Sequence, residues 1–175
     1  MCIRDRNYSL IINQLERNKT TFHQLFYGAT EEEYRWKQSD DKWCLLEIIC
    51  HLHDEEREDF RTRTRSTLEA PDKALPMFDP VAWVSERKYL EQDYQKVLGN
   101  FLSERTQSIR WLRSLENPNW QNAFHHPKIG PLTAHHFLSN WLAHDYLHIR
   151  QATKVKYDYL KVLTGNDLSY AGNWV

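Results

Sequence analysis

Apolar residues recur at helical spacing in four stretches of the chain, separated by polar segments that carry helix-end signals. The first stretch runs from about Asn7 to Tyr27, with Leu10, Ile11, Leu15, Phe22, Leu25 and Phe26 on one stripe and Gly28 as the stop. In the polar connection from Ala29 to Lys42, Thr30 and Glu33 have the spacing of a capping box for one short turn. A second long helix begins near Trp43 and directs Leu45, Ile48, Ile49, Leu52 and Phe60 inward, while its later part, EEREDFRTRTR, alternates in charge and reads as a solvated face. Pro71, Pro76 and Pro80 then interrupt the chain between Leu68 and Trp83, a connection suited to a crossover along a bundle. Asp79 followed by Pro80 is placed to cap a short helix through Val84. The third long helix carries Tyr94, Val97, Leu98, Phe101, Ile109, Leu112 and Leu115 and ends before Asn117 and Pro118. After a loop containing His125, His126, Pro127 and Gly130, the fourth starts around Pro131 to Thr133 and reads through about Tyr157.

No two alternating apolar runs are joined by a hairpin turn, and no internal repeat is visible. The pattern predicts an all-α four-helix bundle with one long crossover between helices two and three, in a single domain over residues 7–175. The opening MCIRDR shows no periodicity and resembles a translated sequencing adapter, so residues 1–6 are expected to be non-native or disordered.

Composition narrows the function classes. With 23 basic against 24 acidic residues and no long block of either sign, nucleic acid and anionic membrane receive no electrostatic support as partners. No apolar stretch approaches the roughly 18 to 20 residues of a membrane helix, and no signal-like segment comes after the N-terminus, which predicts a cytoplasmic protein. Cys2, Cys44 and Cys50 are odd in number and lack C-x-x-C spacing, so they read as buried or free thiols.

Histidines supply the candidate chemistry. His144 and His148 in HDYLHIRQ stand at i and i+4, one above the other on the fourth helix, and continue the stripe of Phe137 and Trp141. His51 comes three positions after Ile48 and should project inward with the apolar stripe of helix two. Such a pair alone is more often hydrogen-bonded or exposed than metal-bound. Three inward imidazoles on two helices would each cost about 1 to 3 kcal/mol if unsatisfied, and a shared cation removes that cost. Three protein ligands also leave coordination positions open, which suits a reactive site rather than a structural one. Asp54, one turn beyond His51, Asp145, beside His144, and Gln151, one turn beyond His148, are candidates to orient the ligands.

The remaining polar residues have plainer explanations. Cys50 points about 100° away from its neighbour His51, and His53, two positions from His51, faces the surface. His135 and His136 lie off the stripe, and the His126-Pro127 turn reads as structural packing. The seven tryptophans and nine tyrosines are expected in the core, with none named as a substrate contact, and Arg57 and Arg150 are expected to pair with nearby acids. HExxH, a duplicated ExxH, a Gly-rich phosphate loop and a Ser-His-Asp signature are all absent.

The segments KWCLLEIICHLHDEE and GPLTAHHFLSNWLAHDYLHIRQ resemble the two signature segments of the DinB-like (DinB/YfiT) superfamily: a tryptophan, an H-L-x-D-x-E run and a later H-D-x-x-H-x-x-Q run. Trp43, His51 through Glu56, and His144 through Gln151 match that pattern. The resemblance implies a four-helix bundle holding one divalent metal ion, zinc or nickel foremost, through His51, His144 and His148. It further implies a small-molecule substrate, with hydrolysis or transfer involving a low-molecular-weight thiol as the two reaction types, and a homodimer. Both reactions use the same three ligands, so the sequence leaves them open. The competing class is a non-catalytic, stress-related bundle that binds metal or ligand.

Overall fold

The computed structural model describes residues 3–77 and 79–174, with side chains from Asn7 onward; Met1 and Cys2 lie outside the described residues. Helix α1 (Ile3–Phe26) begins upstream of the start read from periodicity, and past its end Gly28 takes φ +80°, a conformation that favours glycine. In α2 (Glu31–Arg35), Thr30 caps as expected by accepting from the Glu33 amide at 3.3 Å. The Glu33 carboxylate pairs with Lys156 of the last helix.

The second bundle helix is continuous but changes its winding. It comprises α3 (Leu45–Asp54), a π-helical segment (Glu55–Phe60) and α4 (Arg61–Glu69). The Thr62 hydroxyl donates to the Arg57 carbonyl five residues back, at 2.7 Å, supporting the wider turn. One extra residue per turn rotates the downstream part of the helix, so Glu55, Glu56 and Phe60 all become buried. This corrects the reading of EEREDFRTRTR as a solvated face: Thr64 is buried as well, and so is Thr67 just beyond the run.

The crossover is a packed strap with its own short elements, α5 (Trp83–Glu86) and a 3-10 turn (Tyr89–Glu91), both against α3. Asp79 opens it by accepting from the amides of Val81 and Ala82. Arg87 forks onto both carboxylate oxygens of Glu58 at 2.9 and 2.8 Å. Helix α6 (Tyr94–Ser114) comes next, capped by Asp93.

A second correction concerns the connection to the last helix, which contains a two-stranded antiparallel hairpin, β1 (Ala123–His126) and β2 (Gly130–Thr133), paired from Ala123 with Thr133 to His126 with Gly130. Pro127 and Pro131 obscure the strand pattern. His126 Nδ1 accepts from the amides of Lys128 and Ile129, so this imidazole holds the turn. Helix α7 (Ala134–Thr164) starts at the Thr133 cap and runs two turns past Tyr157 to Gly165, at φ +65°.

Helices α1 and α3 both pack against α6 and α7, enclosing two apolar clusters. Between the clusters lies a polar layer with a member on each long helix: Asn18 between Leu15 and Phe22, Glu56 between Leu52 and Phe60, Arg105 between Phe101 and Ile109, and Asp145 between Trp141 and Ile149. Arg105 donates to Asp145 at 2.8 and 2.7 Å, to Glu56 at 2.9 Å and to the Leu15 carbonyl at 3.1 Å. Asn18 also donates to Asp145, and the Trp141 indole donates to Glu56. Buried charge is tolerated here because each ion is hydrogen-bonded to partners of opposite charge or to neutral donors.

Candidate metal centre

His51 leaves the inner face of α3 one turn after Ile48, and His144 and His148 leave α7 on the turns after Trp141. Their rings meet. His144 Nε2 lies 3.2 Å from His51 Nε2 and 3.0 Å from His148 Nε2, and the three residues offer nitrogens all within 4.8 Å of one another. His51 is buried and the other two are largely buried. The Trp43 ring sits 4.9 Å from that of His51, and Phe60, delivered by the π-helical segment, sits 4.9 Å from that of His144.

Burial disfavours the imidazolium at each position, and neighbouring rings add to it at His51 and His144. His51 is lowered to about 3, by desolvation first and then by His148. His144 is also strongly lowered, by desolvation and then by His148 and His51. His148 is lowered by desolvation, against an opposing hydrogen bond from Gln151. The Gln151 carbonyl accepts from His148 Nδ1 at 2.7 Å, which places the proton on Nδ1 and leaves Nε2 with a lone pair facing the cluster.

This donor set fits a divalent cation. Nitrogens sharing an ion at about 2.0 to 2.1 Å must lie about 2.9 to 3.4 Å apart, whether the geometry is octahedral or tetrahedral. Both measured separations fall in that range. Neutral imidazoles are the ligating form, and the lowered pKa values keep them neutral at pH 7.

Of the three residues expected to orient ligands, the structure brings Gln151 alone into a hydrogen bond with an imidazole of the cluster. Asp54 instead accepts from Tyr89 Oη at 2.8 Å, from Arg57 at 2.9 Å and from Arg87 at 2.8 Å, on the crossover side of α3, and His51 Nδ1 has no hydrogen-bond partner. Although desolvation opposes it, that environment of His53, Arg57, Tyr89 and Arg87 holds the Asp54 carboxyl well below the usual carboxylate range. Asp145 is taken by Arg105 and Asn18. One turn of helix brings a carboxylate near a histidine in sequence, but each carboxylate faces its strongest cation.

Other candidates fall outside the cluster. Cys50 is buried and donates to the Tyr89 carbonyl at 3.8 Å, with burial pushing its thiol up to about 12. His53 is half-buried rather than exposed, 3.5 Å from Asp54, and His135 packs edge-on against Tyr8. Sequence reasoning overlooks Arg105, whose signal is a cation at a core position between Phe101 and Ile109. It also overlooks a groove beside the cluster, lined by Trp36, Trp43 and Trp174 among others, because tryptophans at helical spacing are expected in the core.

Residues 14–152 match the family model described as the DinB superfamily. The chain belongs to the DinB superfamily. Among solved structures, this DinB-superfamily chain is similar to YfiT from Bacillus subtilis, described as a probable metal-dependent hydrolase with an unusual four-helix bundle topology. The identity is 19%, the TM-score 0.79, and the match covers 91% of each chain, which supports the shared bundle. No curated protein matches the sequence. Among the described residues, no helix of this DinB-superfamily bundle is long and apolar enough to cross a membrane.

Proposed function

We propose that His51, His144 and His148 hold one divalent cation, zinc or nickel foremost, and that the protein is a metal-dependent hydrolase of a small molecule. The observation that carries this reading is the gathering of three imidazoles whose nitrogens lie within 4.8 Å of one another, with the lone pair of His148 fixed by Gln151. Similarity in fold to YfiT, itself described as a probable metal-dependent hydrolase, supports it. A cation bound here supplies Lewis acidity and a nucleophile at neutral pH. The chain's own part is to keep the three rings unprotonated and to aim them from two rigid helices. All-imidazole ligation suits zinc and nickel better than magnesium or calcium, which prefer oxygen donors.

The test begins with elemental analysis of protein purified without a histidine tag or chelator, where one ion per chain is expected. A screen of ester and amide substrates should then show turnover that a chelator abolishes and the ion restores. His148→Ala should lose both ion and turnover while keeping its helical circular dichroism. Absence of a stoichiometric ion after loading with zinc and nickel would refute the reading. An ion whose removal unfolds the bundle, with no ester, amide or thiol-dependent reaction detected, would favour a structural metal.

A further inference from the structure

The groove beside the imidazoles has a composition that specifies a ligand. Its volume is about 420 Å³, within the range of small-molecule sites. One wall is the stripe of α7 that continues past His148, through Gln151 and Val155 to Asp158; the facing wall comes from the segment before α3, and Trp174 of the C-terminal tail closes a side. The groove reaches the cluster at two points: Gln151, hydrogen-bonded to His148, and Trp43, packed on His51.

Two features of its lining act together. Three indoles, Trp36, Trp43 and Trp174, offer flat apolar faces. Three cations, Lys42, Arg150 and Lys154, line it with one carboxylate, Asp158, and a second carboxylate, Asp41, stands beside Lys42, in a chain whose net charge is −1. Lys154 is bound to Asp158 at 2.5 Å and its ammonium lies 5.8 Å from the centre of the Trp174 ring. That face already carries a cation, so the indoles are not arranged to capture a second one, and the surplus positive charge selects for an anion. Lys42 meets Asp41 at 3.0 Å, but both side chains are well exposed, and a pair in open solvent is held weakly enough to exchange for a ligand. Six residues of helix separate His148 from Lys154, a rise of about 9 Å.

We infer that this groove binds an organic anion with a flat or aliphatic apolar body, its carboxylate toward Lys154 and Lys42 and its cleavable ester or amide toward the imidazoles, about 9 Å away. This rests on the imidazole cluster being the reactive end. The substrate class is thereby narrowed from small molecules at large to amphipathic acids.

Binding is measured first by calorimetry on metal-free protein, with 2-naphthoate, 2-naphthamide and 2-naphthylmethylammonium as probes sharing one ring system. The carboxylate should bind at least about tenfold more tightly than the amide, with the ammonium weakest, and its advantage should shrink as salt is raised. Lys42→Met combined with Lys154→Met should bring the carboxylate down to the level of the amide, whereas Trp174→Ala should weaken both. Metal-loaded protein is then given the 4-nitrophenyl half-ester of suberic acid and 4-nitrophenyl octanoate, with kcat/KM expected to favour the half-ester about tenfold and to lose that preference in the double lysine variant. Equal binding of carboxylate and amide, no saturable binding of any probe, or an unaltered double variant that remains folded by circular dichroism would overturn the inference. Because the calorimetry needs no ion, its failure leaves the metal reading standing, and failure of metal loading leaves the binding result standing.

Discussion

Arg105→Met is the perturbation whose consequence is most directly worked from the structure. Methionine fills most of the volume of the arginine stem but removes the guanidinium that neutralises Glu56 and Asp145, which are 1% and 0% exposed. It also removes two bonds to Asp145, one to Glu56 and one to the Leu15 carbonyl. Removing one partner of a buried pair costs about 3 to 5 kcal/mol because a charge is left stranded. Here two carboxylates are stranded, and Asn18 and the Trp141 indole offset only part of the loss, so about 5 kcal/mol is expected. Domains of this kind are stable by about 5 to 15 kcal/mol, which puts the variant near the edge of folding at neutral pH. Urea denaturation monitored by circular dichroism reads this directly: with a slope of about 2 kcal/mol/M, the midpoint should fall by about 2.5 M. A midpoint shift below about 0.5 M would refute the reasoning.

The same geometry fixes three further outcomes. Gln151→Leu removes the acceptor that fixes the His148 proton and should weaken zinc affinity about tenfold to hundredfold in a competition titration, with little change in the thermal midpoint of the metal-free protein. Glu55 is buried beside Asp59, and its carboxyl is raised to about 8 by desolvation and by that neighbour. The stability this group contributes is therefore full below about 4.5 and is lost as pH rises through about 8, so Glu55→Gln should flatten the decline of stability across that window by an amount on the order of a few kcal/mol, read from melting curves. The imidazoles have the opposite sign: their folded pKa values are depressed below 6.5, so metal-free protein should keep their contribution above pH 6.5 and lose it progressively as pH falls toward about 3. In the Glu55→Gln background, where the opposing titration is absent, a chelator-treated sample whose melting temperature holds steady from pH 7.5 to pH 4.5 would contradict that assignment.

The four-helix plan is legible because stripes at a period of 3.6 announce which face is inward, and the same stripes aim His51, His144 and His148 at one another. What escapes the sequence has specific physical causes. A π-helical segment breaks the period on which the reading depends, so Glu55 and Glu56 are buried where the charge pattern reads as a solvated face, while Phe60 keeps the inward place its spacing gives it. The hairpin is masked by Pro127 and Pro131, residues that weaken any strand pattern. Proximity along a helix suggests the histidines as partners of Asp54 and Asp145, whereas two of their actual partners, Arg87 and Arg105, come from other segments 33 and 40 residues away. The groove depends on Trp174, a tail residue brought back against Lys154, and no local pattern reports such a return.

The distance in sequence between the imidazoles also sets a clock. His51 and His144 are 93 residues apart, and three of the four long helices precede the one that completes the cluster. At about 5 to 20 residues per second, a ribosome needs roughly 5 to 20 s to travel from one histidine to the other. Throughout that interval His51 has no partner imidazole on the nascent chain, and a cation captured early would have a single ring to hold it. Under the proposed metal reading, loading must therefore wait until His144 and His148 have been added, which makes the availability of free ion after α7 emerges, rather than before, the condition that determines how a new molecule is filled.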